Sequence, residues 1–509
     1  MPSTFFGLNI ATSGILTAQA GLQTTAHNIS NENTKGYSRQ VVNAKAGEPL
    51  RVYQRYGMVG TGVDVTSIEQ IRDSYYDVKY RANQSKVNEY ETKEIYTLQI
   101  EDYFNELETN GFTAEFDNAF EALKSLQGNP SSLTYRTEFL NYCQSMADYL
   151  NDTQTKLASL QRSLNTEVSN QVDKINNISG QIASLTKQIN TVELTGAAAN
   201  DLRDARELLL DDLAQIIPIN VTETQGGNGA THYQVKVGGY TLVNDFDYHE
   251  LLTIARETPN NEYDEPEMYD IYYYYDEVSG SKTRLDIQSM GLSGSLRATL
   301  DVRDGNNGTS ADPLTAIDYK GVPFYYQKVQ DFKKKLAEVF NDIHQNSREE
   351  VDGVTVPGNY NMYNKTTEDI PIFVISETGR LNVNKDLLDD PNLLAASSHP
   401  LQDGIDDSGL IDKFLKLQDT KEFRGGTAKE YLESIVTEIS IDAKKAQTFQ
   451  KNYDNIKTSI ENQRMSISGV DGEEETMNLV RYQEAFELSS KMISVMAQLY
   501  DKLINQTGV

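Results

Sequence analysis

Tryptophan is absent from this 509-residue sequence, and cysteine occurs once, at Cys143 within FLNYCQSMADYL. One thiol excludes an internal disulfide and a cysteine-based metal centre, and its helical setting predicts a buried structural role. Positive charge is scarce as well. The 46 Lys and Arg face 75 Asp and Glu, for a net charge of -29, and no basic cluster interrupts the acidic background. That balance excludes nucleic acid and anionic membrane as partners. No run approaches the roughly 18 consecutive apolar residues of a membrane span, and the first residues lack the basic flank and long apolar stretch of a secretory signal. Passage out of a cell would need another route.

Chemical signatures are also missing. The five histidines, His27, His232, His249, His344 and His399, fall in separate segments with no H-E-x-x-H or other ligand spacing, and no G-x-S-x-G elbow occurs. The adjacent carboxylates Asp211-Asp212 and Asp389-Asp390 sit beside helical surfaces, where solvation and capping explain them better than acid-base work. Gly60-Thr-Gly62 reads as a turn before a strand, because no complete phosphate-loop motif surrounds it. DVRDGNNGTSAD, Asp301 to Asp312, lacks the final Glu of an EF-hand. The expectation is a chain with no catalytic residue, no cofactor and no metal.

What is present is helical periodicity at both ends. Near the C-terminus Leu479, Tyr482, Phe486, Ile493, Met496, Tyr500 and Leu503 follow a 3-then-4 alternation broken only by Ser489, which describes one heptad seam. Asp471, three residues before Glu474, predicts an N-cap, and Glu473 to Glu475 complement the helix dipole. A second stripe, Leu488, Met492, Val495 and Leu499, makes the apolar face too wide for one partner. Residues 1 to 31 contain no Asp, Glu, Lys or Arg, and Leu8, Ala11, Ile15, Ala18, Leu22 and Ile29 keep heptad spacing with Thr25 in the remaining position. Short helices gain little alone, so these ends are expected to pair with each other or with other subunits.

Between the ends the pattern changes twice. Long helices are predicted from about Asp73 to Gln127 and again from Ser132, with seams at Leu150, Leu157, Leu164, Gln171, Ile178, Leu185 and Val192 and at Val168, Ile175, Ile182 and Ile189. A late helix repeats Leu432, Ile439, Ala446, Tyr453, Ile460 and Ile467 at seven, with Ile435, Phe449 and Ile456 beside them. The two are expected to form one coiled coil. From Pro218 short alternating runs between Gly-rich turns predict antiparallel strands, among them the run Tyr272 to Tyr275, expected to face solvent. The fold class is therefore α+β, predominantly α, with a discontinuous helical coiled-coil core built from N- and C-terminal segments and inserted antiparallel β domains. The expected parts are terminal helices over 1–35 and 475–509, a helical core over 36–217, 291–350 and 411–474, a β-rich outer domain over 218–290 and a mixed outer segment over 351–410.

NISNENTKGYSRQ (Asn28 to Gln40), GTGVDVTSIEQIRD (Gly60 to Asp73), DLRDARELLLDDLAQIIPINV (Asp201 to Val221), GSLRATLDVRDG and SGVDGEEETMNLVRYQEAFELSSKMI (Ser468 to Ile493) occur in that order. Together they resemble the hook-associated protein 1 family of bacterial flagellar axial proteins, with Lys35 where the first motif usually has Pro. The resemblance implies a non-enzymatic subunit of the extracellular flagellum at the hook-filament junction. It implies export through the flagellar type III apparatus with an export chaperone bound near the C-terminus, and self-assembly into a ring between hook protein and the second junction protein, with no nucleic acid and no membrane insertion. On that reading Leu8, Ile15, Leu22, Ile29, Leu479, Tyr482, Phe486, Ile493, Met496, Tyr500 and Leu503 form an assembly interface lining a channel, and Leu488, Met492, Val495 and Leu499 bind the chaperone. The alternatives are another axial subunit such as hook protein, or a secreted carbohydrate-binding or adhesive protein using the Tyr-rich β region.

Overall fold

The computed structural model describes residues 6–51, 57–109, 111–225, 231–276, 281–306, 318–400 and 407–505. The chain opens with helix α1 (Phe6–Ser30) and strands β1 (Gln40–Ala46), β2 (Leu50–Arg51), β3 (Met58–Val59) and β4 (Val63–Gln70). Helices α2 (Ser74–Thr109), α3 (Phe112–Gly128), α4 (Leu133–Glu193) and α5 (Asn200–Ile216) follow. Strands β5 (Asn220–Gln225), β6 (Thr231–Val237), β7 (Tyr240–Asn244), β8 (Asp247–Tyr248), β9 (Leu252–Ala255), β10 (Tyr269–Asp276) and β11 (Ser281–Arg284) lead to helices α6 (Ser295–Asp304) and α7 (Val322–Asn346). Then come β12 (Arg348–Val351), β13 (Val354–Pro357), β14 (Phe373–Ile375) and β15 (Leu381–Val383), and finally α8 (Lys385–Asp389), α9 (Gly409–Lys416), α10 (Ala428–Ser468) and α11 (Gly472–Asn505). The fold is α+β and dominated by helix, with small antiparallel sheets.

Local sequence explains the long helices. Ser132 caps α4 by accepting from the Tyr135 N–H at 3.4 Å, and Thr427 and Glu430 close a full capping box on α10. Between them α4 runs 61 residues without a break, since neither Pro nor an unsupported Gly pair interrupts it. Its two halves serve different cores. Leu150, Leu157 and Leu164 pack with α3, α7 and the start of α10, whereas Val168, Val172, Ile175, Ile178 and Ile182 pack with Leu210 and Leu213 of α5 and Tyr233, Val235, Val237 and Val243 of the strands.

The coiled-coil pairing therefore differs from the expectation. The partner that runs along α10 is α2, and the seam residues of α4 serve other elements. Leu432, Ile435 and Ile439 are buried as predicted for a seam, and Tyr90 of α2 stacks on Phe449 and Tyr453 with ring centroids 5.0 and 5.7 Å apart. The inward face of α2 hid this from a hydrophobic pattern, because it buries Asp77, Arg81, Gln84, Lys93 and Thr97 among Val87, Ile100 and Phe104.

The four-stranded sheet β5-β6-β7-β8 and the three-stranded sheet β11-β10-β9 lie within the span expected to be β-rich. The tyrosine run does not simply face solvent. Tyr272 is buried, Tyr273 stacks on His249 at 4.0 Å, and Tyr274 is exposed, because β10 is the central strand of its sheet and has an inner face to cover. Within 351–400 the exposed β12/β13 hairpin gives way to a stretch that packs inward. Ile372, Phe373, Leu381, Leu387, Leu394 and Ala396 are buried in the same core as α3, α4 and α7. Asn151 of α4 grips the Leu381 backbone from both sides, with N–H to Oδ1 at 3.0 Å and Nδ2 to the carbonyl at 2.7 Å.

Candidate assembly site

Helices α1 and α11 lie against each other and apart from both apolar cores, neither of which contains a residue of either helix. Their contact is built on small residues. A Cβ placed on Gly7, Gly14 or Gly21 would meet Met496, Ser489 or Tyr482 respectively, so positions seven apart on α1 face positions seven apart on α11 in descending order. The pair is antiparallel, with its apolar seam made of glycine on one side. At Gly21 the Tyr482 ring lies 2.5 Å from where a Cβ would stand. Ala11, Ala18, Thr24, Thr25 and Asn28 complete the buried face of α1.

The large residues predicted to fill that seam, Leu8, Ile15, Leu22 and Ile29, are only half-buried and flank it. Met496, Ser489 and Tyr482 take the space over Gly7, Gly14 and Gly21. The signal that could have located the contact was Gly7-Gly14-Gly21 at sevenfold spacing, and Ser489, the apparent interruption in the α11 heptad, is the residue opposite Gly14. On α11, Leu479, Tyr482, Phe486, Ile493, Met496 and Tyr500 are half-buried and Leu503 is 58% exposed. The second stripe is open: Leu488, Met492, Val495 and Leu499 are 66, 45, 55 and 50% exposed. Four large apolar side chains in adjacent helical turns form a continuous patch of a kind that marks an interaction surface.

The base of this helical arm is the motif Asn28 to Gln40. Asn28 is fully buried and accepts from the Tyr37 hydroxyl at 2.7 Å and the Gln40 N–H at 3.0 Å, while its Nδ2 donates to the Gln40 carbonyl at 2.9 Å. The strand pair β1/β4 lies along α1, and Gly62, with φ +111, brings its backbone against Ile10 and Ser13. Gly60-Thr-Gly62 is thus a turn with a close approach, as expected of it. Asp204 accepts from the Ser38 N–H at 2.8 Å, and the Gln40 amide donates to Asp201 at 2.7 Å, which seats the arm on the N-terminal turns of α5.

Beneath it runs a ring of charges. Arg72 donates to Asp77 (2.7 Å), Arg464 to Asp77 and Asp211 (2.7 and 2.8 Å), and Arg81 to Asp211 (2.8 Å) and Glu207; Arg72 closes the ring on Glu207 at 3.9 Å. Three arginines and three carboxylates so tie α2, α5 and α10 together. Burial pushes the Glu207 carboxyl up, but Arg81 and Arg72 outweigh it and leave its pKa below the usual value. Asp211 is therefore neither a solvated surface acid nor half of a catalytic pair.

Other groups that invite a chemical reading are also occupied. Asp301 pairs with Lys93 at 2.8 Å, and Asp304 with Arg256 and Arg303 at 2.6 and 2.7 Å; residues 307–312 of that acidic stretch lie outside the described residues. Asp390 caps the turn at Asn392 and accepts from the Tyr363 hydroxyl at 2.8 Å. Ser398, His399 and Asp407 lie together, yet both neighbours meet the same Nδ1 of His399, at 2.9 and 3.4 Å. A relay triad needs the two ring nitrogens to face different partners. Here Asp407 instead collects the Ser398, His399 and Gly409 N–H groups ahead of α9, and is held down at about 2 by the Ser397 hydroxyl and those amides despite its burial. Among the described residues no group of three or more His, Cys, Asp or Glu could hold a metal, and no helix is long and apolar enough to cross a membrane.

Residues 97–355, just over half of the chain, match the family model of the flagellar hook-associated protein FlgK helical domain. The chain belongs to the FlgK family of flagellar hook-associated proteins. Residues 461–506 separately match the flagellar basal body rod FlgEFG protein C-terminal model, so the end of α10 and α11 are similar to that C-terminal region. Among curated FlgK-family relatives, the flagellar hook-associated protein 1 of Bacillus subtilis is 27% identical over 100% of this chain and 99% of its own. That of Escherichia coli is 25% identical over 98% of this chain and 99% of its own. The structure of the flagellar hook junction protein FlgK from Burkholderia pseudomallei superposes with a TM-score of 0.59 at 13% identity, covering 77% of this chain and all of that one, which shows a shared fold. As a FlgK-family member the chain is a structural protein of the flagellar hook-filament junction and part of the extracellular flagellum, and it assembles with other flagellar components. The adhesive alternative is not favoured.

Proposed function

We propose that the arm formed by α1 and α11 is the assembly element of this junction subunit. Copies stack through it into a ring, with hook protein on one side and the second junction protein on the other, and the half-buried Leu8, Ile15, Leu22, Ile29, Leu479, Tyr482, Phe486, Ile493, Met496 and Tyr500 and the exposed Leu503 complete their burial there around a channel. Before assembly the chain travels through the flagellar type III apparatus, and an export chaperone covers Leu488, Met492, Val495 and Leu499. It performs no catalysis. The observation that carries this reading is the open stripe of those four residues on a helix already packed against α1. Burying an apolar side chain of this size contributes about 1.5 to 3 kcal/mol, so such a stripe in a free chain favours any apolar cover.

One pair of substitutions tests both halves. Leu488→Asp with Val495→Asp leaves the body's melting as in the wild type, because neither residue reaches its cores. It abolishes co-purification with the chaperone and removes the band at the hook end of filaments in immuno-electron microscopy. Normal incorporation of this variant would sink the proposal.

A further inference from the structure

The arm meets the body at two connections, and neither fixes its direction by helix continuity. On one strand of the chain α1 ends in the turn leading to β1. On the other, α10 stops at Ser468 and α11 restarts at Gly472, with Gly469 in an extended conformation (φ -71, ψ 155) and Asp471 capping the new helix through the Glu473 and Glu474 N–H groups at 3.0 and 3.2 Å. A short linker of this kind leaves the angle between two helices free unless side chains hold it.

One side chain bridges that break. The Arg39 N–H donates to the Ser468 carbonyl at 2.8 Å, at the last residue of α10, and its carbonyl accepts from the Ile71 N–H at 2.8 Å. From this fixed backbone the guanidinium reaches into the first turn of α11. Nε donates to Glu475 at 2.7 Å, and Nη1 and Nη2 donate to Glu474 at 3.0 and 2.7 Å. The Glu475 side chain is 3% exposed and that of Arg39 17%, while that of Glu474 is 49% exposed, so the Glu475 half of the clamp is sheltered from water and the Glu474 half adds the planar fork's direction from the open side. On the other flank α1 has no Asp, Glu, Lys or Arg, and its contact of this kind with the body is the longer one from His27 Nε2 to Asp201 at 3.4 Å.

We propose that Arg39 is a positioning residue that sets the angle of the arm on the body, and that this angle is what allows successive copies to stack. The second clause rests on the assembly role proposed above; the first does not. In a closed ring every copy must present its arm in one direction, and a small angular error displaces the far end of a 34-residue helix by many times more than its base.

The test uses the full-length chain with spin labels at Gln19→Cys on α1 and Lys187→Cys on α4, both exposed; Cys143 is buried and stays unlabelled. Pulsed electron paramagnetic resonance gives the distance distribution between arm and body. We expect one narrow distribution for the parent, and a broadened, shifted one for R39Q and for E474Q/E475Q, with the body's melting unchanged and incorporation into flagella lost. R39K keeps the charge but not the fork, so it also broadens. A parent-like distribution in R39Q or R39K overturns the clamp, and so does a fall in the body's melting in R39Q, which would make Arg39 part of the fold. If R39Q broadens the distribution yet enters flagella normally, the clamp stands and its link to stacking fails.

Discussion

Lys333 is an amine enclosed by amides. Its ammonium is fully buried and donates to Asn151 Oδ1 at 3.0 Å and to Gln154 Oε1, and Gln154 in turn donates to Gln330 at 2.8 Å. Burial, and then the nearby Arg380, push its pKa down to about 7. His344, buried between the Ile370 carbonyl and the Ala395 N–H, is likewise pushed down to about 4 by burial. For both groups the unfolded chain binds the proton more readily, so stability rises with pH between the folded and unfolded values. That places one rise between about 4 and 6.5 and a second between about 7 and 10.5. Urea unfolding followed across this range should show a midpoint that climbs on both limbs, and Lys333→Met should flatten only the upper one, a change of several kcal/mol at neutral pH. A parallel curve for Lys333→Met would mean that Lys333 stays charged when folded. Val329, Phe332, Leu336 and Phe340 recur at helical spacing and mark the apolar face of α7. A lysine beside it reads as solvent-facing, because only the tertiary arrangement supplies the amide oxygens that let it turn inward.

At the scale of elements, periodicity located the helices better than it chose their partners. The heptads of α4 and α10 are present, but a heptad states only that a face is covered. The cover for α10 is α2, whose inner face is polar and paired, and the cover for the second half of α4 is α5 together with a sheet of alternating short strands that carry no heptad. The arm carries the same lesson in reverse, because its closest contact is made by residues with no side chain. This gives a sharp expectation for Gly21. Replacing it with Leu drives a branched side chain into the Tyr482 ring, and the two backbones have to separate along the seam shared by Gly14 and Gly7. Amide hydrogen exchange in Gly21→Leu should accelerate across 6–30 and 472–505 and remain unchanged in the first half of α4, which belongs to another core. Acceleration spreading to Leu150–Leu164 would show that arm and body unfold as one unit.

For the whole molecule, the decisive quantity is where the charge lies. The chain carries a net charge of -29, yet α1 has no Asp, Glu, Lys or Arg and α11 has only three more Asp and Glu than Lys and Arg, so nearly all of the excess sits on the body. If copies assemble through their arms as proposed, bringing the bodies together is opposed by like-charge repulsion, while bringing the arms together is favoured by apolar burial and hardly opposed. Salt separates the two terms. At about 0.15 M ionic strength the Debye length is near 8 Å, against about 30 Å at 0.01 M, so screening removes repulsion between bodies while leaving the burial of Leu488, Met492, Val495 and Leu499 intact. Sedimentation of the purified chain should therefore show monomer at low ionic strength and growing association as salt is added. Leu488→Asp with Val495→Asp should keep it monomeric throughout, because screening cannot restore an apolar contact that has been replaced by two carboxylates. If association instead weakened with salt, ion pairs between bodies would be the adhesive term. The arm would then position the copies without holding them together.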